Sequence, residues 1–70
     1  MRSDRNKTPL TRREIEVVRL ICAGCRNREI GARLFISEAT VKTHLHHIYS
    51  KLSIRGRLEL SLYGRRNGLA

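Results

Sequence analysis

The sequence predicts an all-α fold of four helices with no sheet. Three observations carry that expectation. Apolar residues recur at helical spacing, most cleanly at Val41, Leu45, Ile48 and Leu52, which at 100° per residue fall within roughly 60° of arc. Thr11 and Glu14 form a T-x-x-E signal of the kind that opens a helix. Strand signals, period-two alternation bounded by turn residues, are missing throughout.

Residues 1–8 are basic and apolar-poor, and are expected to form a flexible tail or linker ahead of a domain over 9–70. The first helix starts after Thr11, where Leu10 and Ile15 can add a hydrophobic staple to the capping box. Val17, Val18, Leu20 and Ile21 point it at a core, and Gly24 is placed to end it. A short second helix fits Asn27 to Phe35, with Ile30 and Leu34 one turn apart and Asn27 expected as its cap. Gly31 sits inside it at a cost of roughly 1 kcal/mol against Ala, which points to close approach of another backbone. Ser37 caps the third helix, about 38–52, and a fourth fits Arg57 to Arg66 before Asn67-Gly68.

Size and charge bound the function. Seventy residues make one domain, and a chain this short buries only about 60% of its unfolded surface. Large catalytic pockets, dinucleotide folds and barrels do not fit. No apolar stretch approaches the ~20 residues that span a bilayer, so no membrane partner is expected. Fifteen Lys and Arg against six Asp and Glu give a net charge of +9, which points to a polyanion.

Two helices joined by a turn of about three residues, the second of them longer, make a helix-turn-helix. Such a unit lays its second helix in the major groove, ~12 Å wide. The side of the third helix opposite its core stripe carries Ala39, Thr43, His46, His47 and Ser50, with Lys42 on its shoulder. These are small, hydrogen-bonding or cationic groups, and Glu38 is confined to the helix start. His44 borders the core.

The runs L-T-x-R-E (from Leu10), E-I (Glu29), I-S-x-x-T-V-K-x-H (Ile36) and I-x-x-K-L (Ile48) resemble the LuxR-type, or NarL/FixJ/GerE-like, C-terminal DNA-binding domain from Leu10 to Leu69. That resemblance implies four helices with the second and third as the helix-turn-helix, and sequence-specific binding of double-stranded DNA by a bacterial transcriptional regulator. Carried over by position, it implies base contacts by Lys42, Thr43 and His46. Lys42 would reach guanine O6/N7 or a phosphate, Thr43 would offer its methyl to thymine, and His46 would donate or accept. Phosphate contacts fall to Asn27, Arg28, Ser37, Thr40 and Lys51, several of them at helix N-termini that suit anions. The resemblance also implies that Glu14 pairs with a basic residue such as Arg57, and that Leu60 and Gly64 face inward. The chain departs from the family's usual pattern at Arg26, where Ser or Thr caps the second helix, at Gly31 and at Val18.

In that family the last helix pairs two domains. Here Leu58 and Leu62 lie one turn apart beside Ser61 and Arg65, with no core left to cover. The expected partners are therefore double-stranded DNA, a second copy in a weak homodimer favoured on DNA, and RNA polymerase. Relatives often carry an N-terminal receiver domain, as response regulators do, or an autoinducer-binding domain. The expected location is cytoplasmic, on the nucleoid.

Other chemistries fit less well. Cys22 and Cys25 form a C-x-x-C, yet about 18 residues separate it from the histidines and no two histidines have zinc-finger spacing. A redox C-x-x-C opens a helix, whereas this one closes a helix. Cys22 is expected buried, at a position where the family places a small residue, and Cys25 exposed in the turn. His44, His46 and His47 lack a nucleophile and a pocket, so no enzyme, metal or cofactor is expected. RNA modules use stacking aromatics, and Phe35, Tyr49 and Tyr63 are scattered over three helices. A protein-interaction module on a degenerate helix-turn-helix would not need an intact basic reading face.

Overall fold

The computed structural model describes residues 9–70, so the tail expected over 1–8 lies outside the described residues. Among those described, the chain forms α1 (Arg12–Cys22), α2 (Asn27–Leu34), α3 (Glu38–Leu52) and α4 (Arg57–Arg66), and no strand. Helix α1 packs against α2, α3 and α4, and α2 packs against α3. Val17, Val18, Ile30, Val41, Ile48 and Leu60 are fully buried where these helices meet.

Three helix starts use one device. In α1 the Thr11 hydroxyl accepts the Glu14 N–H at 3.1 Å, and the Glu14 carboxylate accepts the Thr11 N–H at 2.9 Å. Glu29 reaches back to the Arg26 N–H at 2.7 Å, and Glu59 to the Arg55 N–H at 2.7 Å. Each is the third helical residue, where a carboxylate satisfies an orphan donor and meets the positive end of the helix dipole. This corrects the expected cap of α2. Arg26 is the N-cap and Asn27 the first helical residue, because Glu29 supplies the carboxylate half of a capping box without a cap hydroxyl. Helix α3 starts differently, with the Ser37 hydroxyl accepting the Thr40 N–H at 3.0 Å.

All four helices end alike. A residue with left-handed backbone follows the last turn, and the next N–H bonds five residues back: Cys25 to the Leu20 carbonyl, Ile36 to Gly31, Ile54 to Tyr49 and Leu69 to Gly64. This is the Schellman closure, and the apolar residue after the left-handed one packs onto the core. The left-handed residues are Gly24, Phe35, Ser53 and Gly68. For a residue with a Cβ that conformation costs about 1–2 kcal/mol. Phe35 is thus the left-handed cap of α2 (φ 60°) rather than its last helical residue.

The same closure inverts the expectation for the cysteines. Cys25 follows Gly24 in the closing turn and is buried, whereas Cys22, the last residue of α1, is half-buried. The Cys22 thiol faces α4 and donates to the Ser61 carbonyl at 3.7 Å. A Cβ at Gly64 would lie 2.4 Å from that sulfur, so Gly64 sets how closely α1 and α4 approach.

Gly31 is the second close approach. A Cβ there would stand 2.7 Å from the Ile36 carbonyl oxygen, a backbone atom with no room to yield. Gly31→Ala is therefore expected to destabilise the domain by about 1–3 kcal/mol despite the better helix propensity of Ala. In a chain this size that is a fall in Tm of about 5–15 °C, measurable by thermal denaturation. An unchanged Tm would mean the α2–α3 turn is not fixed by this contact.

Candidate nucleic-acid interface

Charge reaches the surface because four of the five acids at residues 9–70 are occupied. Residues 9–70 hold twelve Lys and Arg against five Glu, a net of 12 − 5 = +7. Glu14, Glu29 and Glu59 serve the helix starts, and Glu16 pairs with Arg13 at 3.3 Å on an exposed face. Among the described residues, Arg13 and Lys51 are the cations held in ion pairs. The remaining basic side chains keep their charge available for an external anion.

Helix α3 buries Val41, Leu45 and Ile48 and exposes Ala39, Lys42, Thr43, His46, His47 and Ser50. Lys42, Thr43 and His46 therefore share one accessible surface spanning about one turn. The Thr43 hydroxyl donates to the Ala39 carbonyl of its own helix at 3.2 Å. Its hydrogen is thus committed inward, and the group it presents is a methyl flanked by oxygen lone pairs. The His46 and His47 rings are 6.1 Å apart, both exposed, while His44 is half-buried as expected.

The residues expected to meet phosphate fall into two sets. Asn27 and Arg28 start α2, and with Gly24, Arg26, Glu38 and Arg57 they line one open depression that runs to the start of α3. Arg57 builds its floor, donating to the Asn27 side-chain oxygen at 3.2 Å and to the Cys25 carbonyl. Those bonds tie α4 to the turn between α1 and α2 and leave the Asn27 amide hydrogens free to donate outward. At the start of α3 the Ser37 and Thr40 hydroxyls are 2.9 Å apart. One donates to the other, so one hydroxyl hydrogen remains for a ligand.

Lys51 stands apart. It lies about 20 Å along α3 from Ser37, and its ammonium donates to the Glu14 carboxylate at 2.7 Å. This corrects the pairing expected for Glu14: its partner is Lys51, and Arg57 is engaged with Asn27 and Cys25. Lys51 projects from the last turn of α3 toward the first turn of α1, a contact 37 residues apart in sequence that local spacing does not reveal.

Burial alone would push the Glu14 carboxyl up, but the Lys51 ammonium and the Thr11 N–H and hydroxyl outweigh it and hold its pKa below the ordinary 4.5. A depressed folded pKa stabilises the fold above the unfolded value, and that contribution is lost as pH falls through the lowered one. Urea midpoints of the parent and Glu14→Gln should therefore differ at pH 7 and converge below pH 4.5. Lys51→Ala should cost about 1–2 kcal/mol at neutral pH, less than a fully buried pair because Lys51 is 36% exposed. A constant gap between parent and Glu14→Gln from pH 7 to 3 would remove the ion pair from the account.

On α4, Leu60 and Gly64 face inward while Leu58 is 73% and Leu62 45% exposed. Arg65 is exposed beside them and Ser61 is half-buried. The exposure of one large apolar side chain, placed by the sequence at the end of the second helix, was not signalled by helical spacing. Phe35 is 92% exposed at the turn between α2 and α3, although an aromatic at the end of an amphipathic run reads as core. Among the described residues no group of three His, Cys, Asp or Glu could hold a metal ion, and no helix is long and apolar enough to cross a membrane.

The family model described as bacterial regulatory proteins, luxR family, matches residues 8–63. The transcriptional regulatory protein LiaR of Bacillus subtilis is 48% identical over 60 residues, covering 86% of this chain and 28% of LiaR. The uncharacterized transcriptional regulatory protein YxjL of the same organism is 43% identical over 61 residues, 87% of this chain and 28% of YxjL. The transcriptional regulatory protein DegU of Brevibacillus brevis is 44% identical over 59 residues, 84% of this chain and 25% of DegU. The chain thus spans little more than a quarter of the length of these relatives.

Proposed function

The chain belongs to the luxR family of bacterial regulatory proteins, and from that premise we propose that it binds double-stranded DNA sequence-specifically, with α3 as the recognition helix in the major groove. One observation carries this reading. The exposed side of α3 holds Lys42, Thr43 and His46 within a turn, with no carboxylate beyond Glu38 at its start. Lys42 offers a bidentate or point-charge contact to guanine, Thr43 a methyl for thymine, and His46 a donor or acceptor. Asn27, Arg28, Ser37 and Thr40 hold phosphates on the flanking strand. Lys51 takes a phosphate at the far end only by sharing its ammonium with Glu14.

A single helix reads few base pairs, so two domains act together on half-sites about one helical turn apart. The surface proposed for that pairing is Leu58, Ser61, Leu62 and Arg65 on α4. RNA polymerase is a further partner proposed for a regulator of this kind, and the nucleoid its place of action. The relatives are named as regulators of transcription, and the same role is proposed for this chain.

Salt titration of binding to a duplex selected from a random pool tests the reading. Contacts to about 4–6 phosphates per domain give a slope of log K against log salt of about −4 to −5. A flat slope, or no duplex binding at about 50 mM salt, would sink it and favour a protein-interaction module instead.

A further inference from the structure

We propose that Phe35 is a non-ionic DNA contact, its ring packing on the deoxyribose of the nucleotide whose phosphate docks at the start of α3. The inference rests on the DNA-binding reading above and adds a residue to it.

Two observations set Phe35 apart. Of the four left-handed positions that close the helices, two are Gly and one is the short, polar Ser53; the fourth is a phenylalanine. Bulky side chains are outliers in that conformation, whereas Gly and Asn adopt it readily. The ring gains no burial in return, being 92% exposed while its neighbours Leu34 and Ile36 pack against the core. Gly or Asn at this position would serve the fold better on both counts. Backbone cost and apolar exposure therefore point outside the chain.

Position names the occupant. Phe35 stands two residues before Ser37 in the turn, at most ~7 Å of chain from the start of α3 with its hydroxyls and free N–H groups. A phosphate held there brings its own sugar alongside the ring. The reading face continues from this point through Ala39 and Thr43. A lone aromatic presents about 150–250 Å², far below the ~800 Å² per partner of a stable protein interface. It suits an addition to a larger charged interface, not a docking site of its own.

Phe35→Asn tests this, because Asn tolerates the left-handed backbone and keeps the fold. With a fluorescein-labelled duplex selected by the parent domain, the variant should have an unchanged or higher Tm and bind about five- to tenfold more weakly. Its salt slope should equal the parent's, whereas Arg28→Ala, removing a phosphate contact, should flatten the slope by about one. The chain has no tryptophan, so Phe35→Trp supplies a single tryptophan, excited apart from the two tyrosines, whose emission should be quenched as the duplex saturates it.

Parental affinity in folded Phe35→Asn, or tryptophan emission unmoved at saturating duplex, would overturn the inference. In either case the parent would still bind, leaving the wider reading intact. Failure of the parent itself to bind duplex would instead bring down both.

Discussion

Lys42→Ala, Thr43→Ala and His46→Ala combined should leave the domain folded and nearly indifferent to sequence. All three side chains are exposed on α3 and take no part in the core, so thermal stability should move little. Each good base contact discriminates by roughly 1–3 kcal/mol. Neighbours within one turn are not additive, so the ratio of affinities for a selected site and a scrambled duplex should fall about 10²- to 10⁴-fold. Each single change should relax preference at one or two base pairs of the site. Lys51→Ala should instead weaken every sequence alike. If the triple variant loses affinity equally for both duplexes, the reading face lies elsewhere on the domain.

The second large effect concerns pairing. Leu58 and Leu62 are apolar and largely exposed, and each is worth roughly 1.5–3 kcal/mol when fully buried. That is too little to offset the cost of association in free solution, so the domain alone should be monomeric at micromolar concentration. Two half-sites on one DNA hold two domains at millimolar effective concentration, where the same patch suffices. Leu58→Asp with Leu62→Asp should therefore abolish cooperative filling of a double site, about a 10²-fold loss of apparent affinity there. Single half-site binding should remain. Unfolding of the double variant would show that these leucines support the core, and undisturbed cooperativity would move the dimer surface off α4.

Local features were the legible ones. The capping box at Thr11 and Glu14, the stop at Gly24 and the stripe Val41-Leu45-Ile48 each depend on residues a few positions apart, and each lies where spacing put it. Gly31 was legible as a close approach because a helix interior otherwise disfavours glycine. What escaped depends on substitution of one device for another, or on distance. Glu29 supplies the carboxylate half of a capping box alone, so Arg26 could begin a helix that its own side chain does not cap. Phe35 and Ser53 take left-handed roles usually signalled by glycine. Cys25 is buried because the closing turn folds it back, which helical periodicity, ending at Cys22, cannot express. For the candidate interface, periodicity revealed which residues of α3 face outward, while the partners of Arg57 and Lys51 are set only by packing of distant segments.

One oxygen of Glu14 accepts both the Thr11 N–H and the Lys51 ammonium, so the first turn of α1 and the last turn of α3 share an anchor. At its other end α3 is fixed by the turn that Gly31 admits. A recognition helix held at both ends would meet DNA already aimed. On the proposed reading, its entry into the groove would spend the rigid-body entropy of association and little internal ordering entropy. The negative heat-capacity change of binding should then measure interface area alone, without the larger contribution of a segment that folds as it binds.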